Sequence, residues 1–458
     1  MKRLILAVLL LLSTGSAFAQ LGTIAFPNSG KPEAQPAFLR GIAALHSFWY
    51  DEAADAFREA QKLDPDFALA YWGEAMTYNH PIWYETDADA GRKALAKFNG
   101  TVTARERAYL DAVTTLYNEN TSKYEAAMER LARTYPDDVE AQAFWALSIL
   151  GTKAREETDT RKQIRAAAIL EALLPAHPEH PGVLHYMIHA YDDPLLAPLG
   201  LRAARRYATV ASAAPHALHM PSHIFLQLGM WTEAARSNEA AYALSKEWVA
   251  REKTTSDKRD LHSLEWLQYV YLQQRRYDDA KRLLAEVAPK PNEGMREHHA
   301  RDNMQARYAL ETGDFSVVDF LDPHAPVQFT RGVRAASQKE YDEVQRAIGT
   351  LRAVNNDIHN ANRRVSEVQR QELLALLYAS RGDMTESLRV AQLAVEQEDA
   401  IGTPSGPPDD LKPARELMGE LLLRAGKREE AAEQFRASLL RTPNRALSVS
   451  GLAKAEGR

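Results

Sequence analysis

Residues 37–65 read AFLRGIAALHSFWYDEAADAFREAQKLDP, and this stretch decides the fold. Its apolar residues recur three or four positions apart, which is the spacing of one face of an α-helix. Gly41 and Ala53 are small residues at which two helices can approach closely, and Pro65 stands where the second helix must end. The stretch therefore predicts two packed helices, with Phe57 on the second.

The same pattern returns near the C-terminus in residues 412–443, KPARELMGELLLRAGKREEAAEQFRASLLRTP. Here Gly419, Ala431, Phe435 and Pro443 repeat the intervals of the first stretch. Between the two ends, Asp-Pro or Gly-Asp pairs recur about every 30 to 45 residues, and the alternation typical of strands is rare. Because a repeated helix pair is the unit of helical-repeat folds, the sequence predicts an all-α protein.

At these positions the chain resembles tetratricopeptide repeat (TPR) proteins, whose helix pairs recur about every 34 residues. The resemblance covers most of residues 34–450. The segments LHYMIHAYDDP (184–194) and HALHMPSHIF (216–225) are also similar to exported bacterial repeat proteins of unassigned activity. The resemblance implies a right-handed α-solenoid of antiparallel helix pairs, whose first helices line a concave groove. It implies no reaction.

Residues 1–19 have the pattern of a signal peptide. Lys2 and Arg3 precede an apolar run, and Ala17-Phe18-Ala19 forms a cleavage site after Ala19. The run is too short to span about 30 Å of hydrocarbon, so we expect an exported chain, periplasmic or secreted, with no transmembrane segment after cleavage. Outside the helical repeats, the sequence predicts an extended segment at 20–33, irregular insertions at 82–103, 151–160 and 251–259, a linker at 401–408 and a tail at 451–458.

Composition narrows the classes of partner. The chain has no cysteine, so no disulfide supports the exported protein. Loss of Lys2 and Arg3 with the signal takes the formal charge from −6 to −8, which argues against nucleic acid and anionic membranes. A protein or peptide partner in the concave groove is the expectation for a helical-repeat scaffold.

Five of the fourteen histidines fall within residues 181–231. The pairs His185/His189 and His219/His223 each have i,i+4 spacing, which places both rings of a pair on one helix face. In the repeat frame both pairs take positions 5 and 9 of a first helix, which the resemblance assigns to the groove. Because neutral imidazole suits zinc, copper and iron, these four residues are candidate metal ligands.

Further residues take groove positions in the same frame, or lie beside them, and are candidate ligand contacts: His216, His262, Glu265, His46, His80, Trp72, Glu416 and Glu420. Asp192 and Asp193 are further candidates to complete a metal site or orient a ring. The histidines near loops, His177 and His180 among them, are expected to be exposed.

Two details oppose a metal site. Neither pair is H-E-x-x-H, so a zinc peptidase is excluded. Pro221 lies between His219 and His223, and proline is tolerated only in the first turn of a helix. If a helix begins there, the helical geometry of that pair is lost, although the ring of His219 can still reach the groove. The alternative is that the histidines pack between helices.

Two functions follow from the sequence. The first is an exported scaffold that binds a protein or peptide through its groove. The second is a metal-binding protein or a metal-dependent enzyme with the histidines as its site. Nucleotide-binding glycine motifs, the serine-hydrolase elbow and a cysteine nucleophile are absent from the sequence, so no enzyme class is predicted.

Overall fold

The structure, a computed structural model, describes residues 20–154, 157–289, 294–320, 324–355 and 363–458. Residues 1–19, which hold the predicted signal peptide, lie outside the described residues. Within the described part, no helix combines the length and the apolar character needed to cross a membrane.

Helices joined by short connections form nearly all of the regular structure. Those of the N-terminal part are α1 (Gln35–His46), α2 (Tyr50–Leu63), α3 (Ala68–Met76), α4 (Ala88–Leu95), α5 (Ala104–Asn118), α6 (Thr121–Thr134) and α7 (Val139–Gly151). Those of the middle part are α8 (Arg161–Leu173), α9 (Pro181–Ala190), α10 (Ala197–Val210), α11 (Pro215–His219), α12 (Pro221–Gln227), α13 (Trp231–Glu252) and α14 (Leu261–Gln273).

The C-terminal part continues the series with α15 (Tyr277–Arg282), α16 (Met295–Thr312), α17 (Ala325–Gln338), α18 (Tyr341–Asn355), α19 (Arg363–Ser380), α20 (Met384–Asp399), α21 (Ala414–Arg424), α22 (Arg428–Arg441) and α23 (Ala446–Ala455). Short 3₁₀ turns lie at Pro32–Ala34, Ser256–Lys258, Leu283–Val287 and Phe315–Val317. The predicted all-α class is confirmed.

The strands of the described residues form one small antiparallel hairpin inside the repeats. Strand β1 (Asn79–His80) pairs with β2 (Glu85–Thr86), with Asn79 opposite Thr86. The hairpin and helix α4 fall largely within residues 82–103, where the sequence predicts an irregular insertion.

Polar caps set where several helices begin. Thr103 caps α5 in a capping box with Glu106, so each side chain accepts a hydrogen bond from the other residue's backbone N–H. The side chains of Asn120 and Asp138 accept from backbone N–H groups at the starts of α6 and α7. These short-range hydrogen bonds satisfy backbone N–H groups that have no partner within the first turn of a helix. The starts of these helices can therefore be predicted from neighbouring residues.

The chain forms two compact units. The first comprises the residues up to Thr152, together with Ala166–Tyr186 and Arg206–Ala217. The second comprises Lys153–Arg165, Met187–Arg205 and Leu218–Arg458.

In the first unit, one phenylalanine fixes the spacing of three helices. The ring of Phe57 on α2 packs against Gly41 on α1 and Gly73 on α3. A Cβ atom at either glycine would lie within 3.0 Å of that ring, closer than real Cβ atoms approach. The small residues predicted from the repeat pattern are therefore needed where the helices meet.

The second unit repeats the arrangement near the C-terminus. The ring of Phe435 on α22 packs against Gly419 on α21 and Gly451 on α23, again too closely for a Cβ atom at either glycine. The intervals along the chain are the same as in the first unit, so the two ends of the sequence build the same helix–helix contact.

A buried ion network holds the C-terminal helices to earlier ones within the second unit. Arg445, which is 1% exposed, donates to Glu311 on α16 at 2.6 Å and to Glu416 on α21 at 2.9 Å. Its neighbour Ala446 donates its backbone N–H to the side chain of Gln273 on α14 at 2.9 Å. Residues at the start of α23 thus contact α14.

Candidate metal centre and the other predicted residues

Two short helices carry His219 and His223, a pair of histidines predicted as ligands. His219 is the last residue of α11, and α12 begins at Pro221, where the missing N–H of proline costs no hydrogen bond. His223 lies one turn into α12. A new helix begins at Pro221, as expected, and the two rings still meet because Met220 between the helices keeps a helical backbone.

Asn238 fixes the tautomer of His219. The side-chain oxygen of Asn238 lies 2.6 Å from Nδ1 of His219, and its amide nitrogen donates to the carbonyl of Ala234 at 2.9 Å. That second bond sets the orientation of the amide, so its oxygen faces the histidine. Because an amide oxygen only accepts, Nδ1 of His219 carries the proton and Nε2 presents a lone pair.

Asp192 does the same for His223. Its Oδ2 lies 2.7 Å from Nδ1 of His223, and its Oδ1 accepts from the amide of Gln227 at 3.1 Å. A carboxylate accepts the Nδ1 proton, so Nε2 of neutral His223 also presents a lone pair. A carboxylate behind a histidine is the usual outer partner of a metal-ligating imidazole.

The two lone pairs face each other. Nε2 of His219 and Nε2 of His223 are 3.1 Å apart. Two neutral rings in this orientation repel, so either a proton or a cation must lie between the nitrogens. A tetrahedral zinc ion with bonds of about 2.0–2.1 Å places two nitrogen ligands about 3.3 Å apart, close to the observed separation.

A third ligand comes from α14. Ring nitrogens of His219, His223 and His262 all lie within 4.8 Å of one another. His262 is the solvent-exposed member, and the ring of Trp266, one turn further along α14, covers His223 with 4.3 Å between centroids. Burial, reinforced by His223, lowers the pKa of His219 well below its ordinary value, which disfavours a proton there. This cluster, His219/His223/His262, is the candidate metal centre.

A second cluster lies in the first unit. Glu140 on α7 bonds Nε2 of His46 at 2.6 Å and Nε2 of His180 at 3.0 Å, and all three side chains are buried. Nδ1 of His46 lies 2.9 Å from the hydroxyl of Tyr186, and Nδ1 of His180 accepts the backbone N–H of Val183 at 3.2 Å.

This second cluster is complete without an ion. Each ring nitrogen already has a protein partner, since one nitrogen of each ring donates to Glu140 and the other accepts. Burial acts to raise the pKa of Glu140, but contact with His46 and His180 holds it well below its ordinary value. Burial lowers the pKa of His46. The cluster is a buried carboxylate held by two neutral imidazoles, and it fastens α7 to α1. His180 is therefore buried, and its expected exposure was wrong.

The four predicted metal ligands belong to both units, His185 to the first and the other three to the second. His185 belongs to the first unit, where its Nδ1 lies 2.6 Å from the carbonyl oxygen of His46 and its ring stacks on Tyr207. His216, also in the first unit, packs its ring against Phe48. His189 belongs to the second unit, with its ring centroid 5.8 Å from that of His223.

Of two further predicted ligand contacts, one is buried and one is half-buried. Trp72 was expected to face the groove, but it is 1% exposed in the aromatic core of the first unit because its ring fills the space beside Tyr109 and Phe144. His80 is half-buried in β1 and stacks on Tyr50 with 4.0 Å between centroids.

The predicted acidic residues have different roles. Glu416 is buried in the ion network with Arg445, so it is not open to a ligand, and Glu420 pairs with Lys412 at 2.8 Å. Glu265, three residues after His262 on α14, accepts a hydrogen bond from Asn303 at 3.3 Å, and burial raises its pKa to about 7.

Asn238 and Gln227 were missed as functional residues. Both are uncharged amides inside helices, and such residues carry no distinguishing sequence pattern. Their roles depend on which side chain lies opposite, and that is set by packing between α12 and α13 and by the approach of Asp192.

Comparison with known proteins is limited to solved structures, since neither protein-family models nor curated proteins match the chain. The chain is similar to the APC/C hetero-tetramer Cut9–Hcn1, at 13% identity and a TM-score of 0.38, over 95% of this chain and 78% of that one. For yeast Tom70 the identity is 11%, the TM-score 0.33 and the shares 93% and 88%.

A tetratricopeptide repeat protein from Parabacteroides merdae is similar at 13% identity, with a TM-score of 0.28, over 77% of this chain and 98% of that chain. Consecutive helix pairs, with Phe57 and Phe435 each packed between two glycines, give the repeat type directly. The fold is TPR-like. This TPR-like fold is the frame that carries both histidine clusters.

Proposed function

We propose that this TPR-like chain binds a transition metal ion, zinc first among them, through His219, His223 and His262. The observation that carries the proposal is the 3.1 Å separation of the Nε2 atoms of His219 and His223. Both nitrogens present lone pairs because Asn238 and Asp192 take the Nδ1 protons.

The number of histidines and the hydrogen bonds that orient their rings support zinc as the ion. A structural zinc site has four protein ligands, whereas three imidazoles leave a fourth position for water or a further ligand. His262 is exposed to solvent, so water can reach the cluster from the side of this residue. Asp192 and Asn238 orient two of the rings before an ion arrives, which reduces the entropy lost on binding.

The test is metal content. The chain is purified without a metal-binding tag, and zinc, copper and iron are measured by mass spectrometry. We expect about one zinc ion per chain, as one three-histidine site binds one ion. The His219→Ala/His223→Ala variant should lose it and keep its helical circular dichroism. His299→Ala, which removes an exposed histidine elsewhere, is the matched control. Native protein that cannot be loaded with any of these metals would contradict the proposal.

A second role, binding of a protein or peptide partner, is supported by residues 401–408, which we name the strap. The strap has no helix or strand, and its backbone carbonyls accept hydrogen bonds from Gln227 and Arg307 on helices α12 and α16. Helical-repeat proteins commonly bind extended segments on such surfaces.

A variant that frees this surface tests the scaffold role. In Thr403→Ala/Gly406→Val, the strap loses a hydrogen bond and gains a Cβ atom too close to Trp266. Fluorescence anisotropy should then detect binding of labelled eight-residue peptides, and wild-type protein should bind them at least tenfold more weakly. If the folded variant binds no peptide of any sequence, the scaffold role of this surface is refuted.

Export is proposed from the signal pattern of residues 1–19 alone. In bacteria that express the full chain, mass spectrometry of the purified protein should find Gln20 as the first residue and the protein in the periplasmic or secreted fraction. An intact N-terminus in the cytoplasmic fraction would contradict export.

A further inference from the structure

The strap lies against the residues that support the metal centre. Gln227 has two amide hydrogens, and its nitrogen donates to Oδ1 of Asp192 at 3.1 Å and to the carbonyl of Pro404 at 2.7 Å. Asp192 in turn bonds His223 at 2.7 Å. Three hydrogen bonds in series therefore connect the backbone of the strap to a candidate metal ligand.

Four further contacts define the chemistry of the strap. The hydroxyl of Thr403 donates to Asp193 at 2.6 Å. Gly406 lies so close to the indole of Trp266 that a Cβ atom there would fall within 3.0 Å of it. Arg307 donates to the carbonyl of Pro408 at 2.9 Å, and so does the backbone N–H of Leu411 at 3.1 Å.

These contacts select a particular kind of peptide. Two are made to backbone carbonyls, which any sequence supplies, whereas the contact with Trp266 admits only glycine at one position. Two prolines, Pro407 and Pro408, follow that glycine and restrict the chain before binding. Proline-rich segments bind to aromatic-lined surfaces because their restricted backbone loses little entropy on binding.

We infer that the surface beneath the strap, at Gln227, Trp266 and Arg307, is a binding site for an extended proline- and glycine-rich peptide of a partner protein, and that the strap occupies it as an internal competitor. This inference rests on the scaffold role proposed above and names the partner class. The required pattern is Thr-Pro-x-Gly-x-Pro, taken from residues 403–408. A partner with this pattern would replace the strap at Gln227, Trp266 and Arg307.

The strap competes strongly because it is tethered at both ends. A short tether gives an effective concentration of the order of millimolar, so a free peptide must exceed that concentration or bind more tightly to displace it. Wild-type protein is therefore expected to bind the isolated peptide poorly. A variant whose strap no longer occupies the surface should bind the peptide well.

The test is a titration of the full chain with a fluorescent peptide of sequence IGTPSGPP, the sequence of residues 401–408. The protein is Thr403→Ala/Gly406→Val, with Thr403→Ala alone as a milder variant should the double variant fold poorly. We expect at least tenfold tighter binding than by wild type. Adding Gln227→Ala should weaken that binding roughly fivefold, the effect of one lost hydrogen bond.

The control peptide carries the same two changes as the protein, IGAPSVPP, and a scrambled peptide of the same composition accompanies it. If the folded variant binds all three peptides equally, the surface binds peptides but the inferred selectivity is refuted. If it binds none of them, the inference and the scaffold role both fail. Metal content measured on the same samples reports the metal proposal separately.

Discussion

The Nε2 atoms of His219 and His223 lie 3.1 Å apart, although a new helix begins between the two residues. In one continuous helix, i,i+4 side chains meet through the helix repeat. Here the break at Pro221 ends α11 and restarts the chain as α12, and the ring of His219 turns toward His223 from the preceding helix. Met220 keeps a helical backbone between the two helices, so the i,i+4 contact survives the new helix start at Pro221.

Asp192 should control metal affinity without touching the ion. Asp192→Ala removes the carboxylate that holds Nδ1 of His223, so that ring loses its fixed tautomer and orientation. We expect zinc to bind about 10–100-fold more weakly, measured by competition with a chelator of known affinity. Asp278→Ala, an exposed aspartate on α15, should leave the affinity unchanged. Equal affinity in the Asp192→Ala variant would mean that His223 is not a ligand.

The cluster around Glu140 should matter for stability and not for metal. Glu140→Ala leaves His46 and His180 buried without their shared acceptor. Since a buried hydrogen bond to a charged group contributes about 1.5–3 kcal/mol, the loss in the free energy of unfolding should be roughly 3 kcal/mol or more. Chemical denaturation gives this value. Metal content per chain should equal that of wild type, and a loss of metal would assign an ion to this cluster instead.

Replacing glycine with alanine should lower the stability of the protein at Gly73 and raise it at Gly349. Gly73→Ala places a Cβ atom against the ring of Phe57, and we expect a loss of about 1–3 kcal/mol from overpacking. Gly349→Ala, in an exposed part of α18 with no atom within 4 Å of the new Cβ, should raise stability by up to about 1 kcal/mol. Thermal unfolding compares the two. A neutral effect at Gly73 would contradict the close packing of α2 and α3.

Glu372 should make the second unit less stable as the pH rises. Its side chain is wholly buried, and neither carboxylate oxygen has a hydrogen-bond partner among the described residues. Burial, with repulsion from Asp410 and Glu398, raises its pKa well above the ordinary value. In the unfolded chain a glutamate titrates near pH 4.3. Between these two pKa values the folded state holds more protons, so stability falls with rising pH.

Glu372→Gln removes the loss of stability that comes from ionising this buried carboxyl group. The variant should unfold at a higher temperature than wild type at pH 8, and the difference should shrink as the pH falls below about 4, where wild-type Glu372 becomes neutral in the unfolded state as well. A tenfold difference in proton affinity between the folded and unfolded states corresponds to about 1.4 kcal/mol of stability. Glu396→Gln, on the exposed face of α20, serves as the control and should track wild type. A variant that is less stable than wild type at pH 8 would show that Glu372 is ionised and stabilising.

Much of the fold could be predicted because its causes are local. The three-to-four spacing of apolar residues sets each helix within about a dozen positions, and the intervals from Gly41 to Pro65 recur from Gly419 to Pro443. The same intervals place a phenylalanine between two glycines in both units. The break before Pro221 was also predictable, since proline restricts its own backbone and that of its neighbour.

The site could be predicted only in part. The sequence alone identified His219, His223 and His262 as candidates, because imidazole chemistry and the repeat frame do not depend on neighbours far along the chain. Its proposal that His185 and His219 are ligands of one site stays a prediction, and it treated Glu416, which is buried, as open to a ligand. The grouping depends on which helices pack together.

Sequence by itself determined that this protein is a series of paired helices and that histidine is its distinctive chemistry. Only the tertiary structure decided which histidines act together. Asn238 and Asp192 lie 19 and 31 residues from the rings they orient, and Glu140 lies 94 residues from His46. Residues so distant in sequence are brought together by the burial of apolar surface across many helices. No local sequence pattern indicates which of them will meet.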